Sequence, residues 1–171
     1  MATRVRHSLQ YIQRLYDTGQ DRSQLENLIR AFRGIQALAP DDPNSFFYLG
    51  GLHGLPFRGQ GETDPKWWGG YCWHKTVLFP TWHRIYILYF ENALRSISGC
   101  QDVTLPLWDE VLVSADGPIP SVLTSPTFEL DGRTDNPLYS YNIGISRSGT
   151  QESRLYYRIV YLQLLYYKNM Y

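Results

Sequence analysis

Apolar side chains return every three or four positions through the N-terminal stretch, and that period predicts helices. Val5, Leu9, Ile12 and Tyr16 outline a first amphipathic helix, with Gly19 placed as a C-terminal cap. A second is better marked. Ser23 and Glu26 have capping-box spacing, and Leu25, Leu28, Ile29, Phe32 and Ile35 follow on one face. It is expected to end near Leu38, ahead of the breaker Pro40-Asp41-Asp42-Pro43. Ser45-Phe46-Phe47-Tyr48-Leu49 reads as a short buried helix, weakened by Gly50 and Gly51, with His53 at its end.

Further along, residues 54–72 hold many glycines with Pro56, Pro65, Trp67 and Trp68, the composition of a loop that packs through its aromatics. Pro80 suits a first helical position, so Thr81 to Ile97, closed by Gly99, is the strongest predicted helix. Its apolar positions are Trp82, Ile85, Leu88, Tyr89, Leu94 and Ile97. Val103 to Trp108 reads as extended around Pro106, and residues 113–150 as a long irregular segment rich in Gly, Pro, Ser, Thr and Asp. The stretch Leu155 to Tyr167 is apolar nearly all round; period does not separate helix from strand there, and its length favours helix.

Composition narrows the function classes. A chain of 171 residues accommodates one domain with a true core. Sixteen basic and sixteen acidic residues cancel, so no global field draws the chain to nucleic acid or to an anionic membrane. No apolar run reaches the roughly 20 residues of a spanning helix, and the first residues lack a secretory apolar stretch. The expectation is a soluble protein, cytoplasmic by default. Cys72 and Cys100 are too few for a disulfide framework, which leaves the redox compartment open. Fourteen tyrosines, seven phenylalanines and five tryptophans imply a core built largely from rings.

The four histidines are His7, His53, His74 and His83. Three fall in the best-punctuated part of the chain: His53 at a helix end, His74 at the end of the aromatic loop, and His83 in the first turn after Pro80. Three imidazoles around an open position suit copper, zinc, iron or nickel. On spacing alone, a histidine among aromatics is more often a hydrogen-bonded core residue than a ligand. For His7, on an amphipathic helix, a surface role is preferred. Trp82 and Trp108 read as packing residues, and Arg84, Glu91 and Asp109 as ion-pairing or solvated positions.

The wording around these histidines is more specific than their spacing. Phe46-Phe47-Tyr48-Leu49-Gly50-Gly51-Leu52-His53-Gly54, Trp68-Gly69-Gly70-Tyr71-Cys72-Trp73-His74 and Leu78-Phe79-Pro80-Thr81-Trp82-His83-Arg84 together resemble the first copper-binding region of tyrosinases and catechol oxidases. The resemblance continues through Glu91-Asn92-Ala93-Leu94-Arg95 and Val103-Thr104-Leu105-Pro106-Leu107-Trp108-Asp109. It is nearest the short bacterial and fungal tyrosinases.

That resemblance implies a mainly α fold, a partial antiparallel helix bundle with long aromatic-rich loops. It implies a copper-binding region over 1–141, followed by a divergent tail over 142–171 that is expected to be helical. It makes His53, His74 and His83 ligands of one copper ion. Some members of the family join a cysteine two positions before the second ligand to its imidazole by a thioether, and Cys72-Trp73-His74 fits that spacing; a free thiol packed against Trp68 and a disulfide to Cys100 are the alternatives. The intact family holds two coppers, hydroxylates monophenols and oxidises ortho-diphenols with dioxygen. No histidine follows His83 in these 171 residues, so the second set of ligands is not in this sequence. The expectations are therefore a truncated, tyrosinase-like copper protein with one ion, phenol or catechol as substrate if active; a non-catalytic fragment or pseudoenzyme; or half of a two-chain assembly. An uncovered apolar face would favour self-association or a second chain.

Overall fold

The computed structural model describes residues 4–54, 70–72, 76–107 and 119–140, together with the backbone of 142–143, 146–147, 150–151 and 154–155. Helices dominate: α1 (Leu9–Asp17), α2 (Ser23–Ala37), α3 (Phe46–His53), α4 (Phe79–Arg95) and the single turn α5 (Ser121–Thr124). Two strands, β1 (Thr127–Leu130) and β2 (Arg133–Asp135), form an antiparallel hairpin. None of the described helices is long and apolar enough to cross a membrane.

The chain divides into two compact units, chiefly Met1–Val5 with Arg30–Leu105, and Arg6–Ile29 with Pro106–Asn169. The first is built around Phe90, which is fully buried. Its ring lies 5.7 Å from Phe32, 6.2 Å from Phe46 and 6.2 Å from Tyr86, at angles from tilted to edge-on. Helix α2 and the residues just after α4 approach closely at Gly34, where an added Cβ would lie 2.7 Å from the Ile97 side chain. At the far end of α4, the buried Glu91 carboxylate accepts from Arg4 at 2.9 Å and from the Leu105 backbone N–H at 2.9 Å. That pairing ties both flanks of the chain to the helix.

In the second unit, Ser8 caps α1 by accepting the Tyr11 N–H, so the helix begins at Leu9 and leaves Val5 outside it. Leu9, Ile12, Leu25, Leu28 and Ile29 are buried, as the periodicity requires. The backbone of Leu107 pairs with the start of α1 through Leu9 N–H to Leu107 O and Leu107 N–H to His7 O, consistent with an extended segment around Pro106. The buried Gln13 accepts the Val122 N–H, and Asn136 donates to the Val122 and Ser125 carbonyls.

Two expectations are corrected. The cap of α2 is not Ser23, which is the first residue of the helix: Asp21 accepts from its backbone N–H and its hydroxyl and from the Gln24 side chain, while the Glu26 N–H that a capping box would pair with Ser23 donates to the Arg22 carbonyl. Residues 113–150 are not wholly irregular. Asp131 and Gly132 both take positive φ, 54° and 73°, in the two-residue turn that joins β1 to β2. At the start of the tail the described backbone is extended: Asn142 and Ile143 pair with Leu155 and Arg154, and Ser146 and Arg147 with Gln151 and Thr150, all in one antiparallel register. Residues 156–171 lie outside the described residues.

Candidate metal centre

Two helix ends and one short connecting segment bring the candidate donors together. His53 closes α3, a helix capped at its start by Ser45 and at its end by Gly54, whose φ of 130° excludes a side chain. His83 sits one turn inside α4, which begins at Phe79 with Pro80 in its first turn, two residues earlier than the periodicity places it. The segment carrying Cys72 is pinned to the end of α3 by the Tyr71 N–H, which donates to the Leu52 carbonyl at 2.9 Å. Gly70 makes this possible. Its φ is +76°, and a Cβ there would stand 2.4 Å from the His53 carbonyl carbon, so only glycine permits the approach.

The donor atoms of His53, Cys72 and His83 all lie within 4.8 Å of one another. His83 is nearly fully buried, 1% exposed, and its Nδ1 is 2.7 Å from the Phe79 carbonyl. A carbonyl only accepts, so Nδ1 carries the proton and the lone pair of Nε2 faces the other donors. The Sγ of Cys72 lies 2.9 Å from that Nε2, its thiol donating to the lone pair. Burial pushes the Cys72 thiol up to about 11, so it holds its proton at neutral pH. The Nε2 of His53 is shielded from solvent.

Aromatic rings set the walls. Trp82 packs edge-on against both imidazoles, 6.2 Å from His53 and 4.8 Å from His83, and stacks on Tyr86 at 5.1 Å and 22°. Tyr86 in turn donates its hydroxyl to the Leu49 carbonyl at 3.0 Å and lies 5.9 Å from His53. Phe79 closes the remaining side of His83 at 4.2 Å. Two imidazoles and a sulfur in this frame are a soft donor set, which fits copper or zinc and not a hard, oxygen-seeking ion.

Of the residues singled out from the sequence, the structure joins His53 and His83. His74, Trp108 and Asp109 lie outside the described residues, so the Cys72–His74 pairing does too. Cys72 and Cys100 form no disulfide. His7 is half-buried and lines a basin with Arg6, Ser8, Gln10, Tyr11 and Arg14 in the second unit. Sequence reasoning passed over Tyr86, the buried ring that ties α3 to α4. Its signal was the spacing of Trp82, Tyr86 and Phe90, four apart along α4.

Comparison with known proteins places these residues in context. A family model for the common central domain of tyrosinase matches residues 43–161. Tyrosinase HcTyr2 of Hahella sp. is 52% identical over 153 residues, covering 84% of this chain and 27% of that protein. A tyrosinase of Aspergillus oryzae is 50% identical over 119 residues, covering 69% of this chain and 21% of its own. The solved tyrosinase of Burkholderia thailandensis at low pH superimposes with a TM-score of 0.70 at 47% identity, over 84% of this chain and 28% of that one. The chain thus spans about a quarter of the length of the relatives it matches.

Proposed function

Since the chain belongs to the tyrosinase family, we propose that it carries the first-copper half of that family's site, with His53, His74 and His83 as ligands of one copper ion. The observation that carries this reading is the convergence of His53 and His83 from separate helices, with the Nε2 lone pair of His83 presented by its hydrogen bond to Phe79. Bound there, copper would supply redox chemistry toward phenols or catechols. The protein's own contribution is positional. The Phe79 carbonyl fixes the tautomer of His83, Trp82 and Phe79 keep water from its ring, and Tyr86 braces α4 against the helix that ends in His53.

The second-copper ligands are not among these 171 residues, where no histidine follows His83. We therefore read the chain as a half-site: it binds one copper and does not oxidise phenols efficiently by itself, and the two-copper activity requires ligands from beyond this sequence. Alanine replacement of His53, His74 or His83 is expected to reduce copper retained after dialysis at least about tenfold in each case. Unchanged copper content in the His83→Ala chain would overturn the assignment.

A specific feature also supports association. Ile85, Leu88 and Tyr89 form an exposed row on α4, 69%, 46% and 38% accessible, with Val77 and Leu78 exposed just ahead of the helix. Apolar residues spaced three and four apart on a surface helix favour a covering partner, either a second copy or a chain supplying the complementary half.

A further inference from the structure

The second unit holds a cavity of about 430 Å³ lined by Arg6, His7, Ser8, Gln10, Tyr11 and Arg14, all on α1 or the three residues before it. In a chain whose charges cancel, this lining carries two guanidiniums and an imidazole and no carboxylate. The ring of Tyr11 organises it. His7 is held at its backbone, where its carbonyl accepts the Leu107 N–H at 3.0 Å, and at its ring, which lies 5.2 Å from that of Tyr11. Arg14, three residues further on, sets its guanidinium 5.4 Å from the centre of the same Tyr11 ring. A guanidinium resting on a ring keeps its N–H edge open and loses less freedom when it takes an anion. The one carboxylate of α1, Asp17, accepts from the Gln13 side chain at 2.9 Å, and Arg14 makes no ion pair among the described residues. The backbone N–H groups of Leu9, Tyr11 and Ile12 are already taken by Leu107 O, Ser8 Oγ and Ser8 O. Side chains, and not the helix end, therefore supply the donors.

We propose that this basin binds the phosphate group of a small phosphate monoester. Two guanidinium forks and an imidazole offer more donors than the two oxygens of a carboxylate can take, whereas the three terminal oxygens of a phosphate monoester match them. The volume lies within the range of about 300–1,000 Å³ usual for small-molecule sites, so it has room for the group that carries the phosphate. Arg14 and His7 are the contacts that fix the anion, and Tyr11 is the positioning residue that holds both. The inference is independent of the metal centre and of the half-site reading.

Ribose 5-phosphate is a suitable probe, with acetate as the carboxylate control. Calorimetric titration of the whole chain at low ionic strength should show one equivalent of ribose 5-phosphate bound, and acetate at least about tenfold more weakly. Arg14→Gln should raise the dissociation constant at least about tenfold, the loss of a charge-assisted contact. Arg14 is exposed, so that variant should keep its unfolding midpoint, and ribose 5-phosphate should raise the midpoint of the unsubstituted chain but not of Arg14→Gln. Tyr11→Phe should bind within about twofold of the unsubstituted chain because the ring remains, and Tyr11→Ala should bind more weakly. Arg22→Gln is the control for general charge: Arg22 lies 5.5 Å over the Tyr16 ring but outside the basin, and its loss should leave binding unchanged. No uptake, equal binding of acetate, or equal weakening by Arg14→Gln and Arg22→Gln overturns the proposal. Uptake unchanged in Arg14→Gln, as binding at the metal centre would give, overturns it as well.

Discussion

At the residue scale, the centre depends on atoms whose positions are set by backbone and not by charge. Gly70 is the sharpest case, because alanine there meets both a positive φ and the His53 carbonyl carbon at 2.4 Å. Gly99 has a similar φ, +78°, with nothing near its missing Cβ. Gly99→Ala should therefore cost about 1–2 kcal/mol in denaturant unfolding, the conformational cost alone. Gly70→Ala should cost clearly more and also weaken metal retention; equal costs would show that the close approach at His53 carries no strain. Asp21 tests a cap. Hydrogen bonds from the Ser23 side chain first, then from Gln24 and the Ser23 backbone, hold its carboxyl below the ordinary value of 3.8. A depressed folded pKa means that its contribution is present above the unfolded value and is lost as pH falls through the folded one. Asp21→Asn should thus flatten the acid limb of the stability curve below about pH 4, and an unchanged limb would rule out the cap as a source of acid sensitivity. His53 and His83 were legible as candidate ligands because helix ends and Pro80 mark them in the sequence. Cys72 entered through the resemblance alone, and its approach to His83 was not legible, since it depends on a close contact between residues 53 and 70 that no local spacing encodes.

At the element scale, α2, α3 and α4 were readable to within about two residues at each end, the usual margin for helix boundaries. Which face of α4 is buried was less legible. The helix is apolar over much of its circumference, and the structure buries His83, Tyr86, Phe90 and Leu94 while leaving Ile85 and Leu88 outside. Packing against α2 and α3, not hydrophobicity, makes that choice. The β1–β2 hairpin was hidden by its polar residues, although Asp131-Gly132 between Leu130 and Arg133 is a strong two-residue turn signal. Glu91 is the element's one buried carboxylate, and its partners Arg4 and Leu105 lie far away in sequence. Glu91→Ala leaves the buried Leu105 N–H without that acceptor, while the part-exposed Arg4 keeps water and Asn92, and should destabilise the chain by about 1–3 kcal/mol. A loss below about 1 kcal/mol, measured by urea unfolding, would mean that water replaces the carboxylate.

At the scale of the whole molecule, family membership was legible from three short stretches of wording, all of which fall inside the family model's match over residues 43–161. Activity is a separate matter, because the matched relatives are about four times longer than the part this chain shares with them. The exposed row on α4 gives the association reading a direct test. Sedimentation of the chain should show a concentration-dependent species larger than the monomer, and the double variant Ile85→Glu, Leu88→Glu should shift it to monomer; a monomer at all concentrations contradicts that reading. The central claim is the half-site, and the measurement that tests it most directly is copper counted per chain after reconstitution and dialysis. The account predicts one copper per chain in the unsubstituted protein and essentially none in His83→Ala. Two coppers per chain, or one that survives the loss of His83, would contradict it.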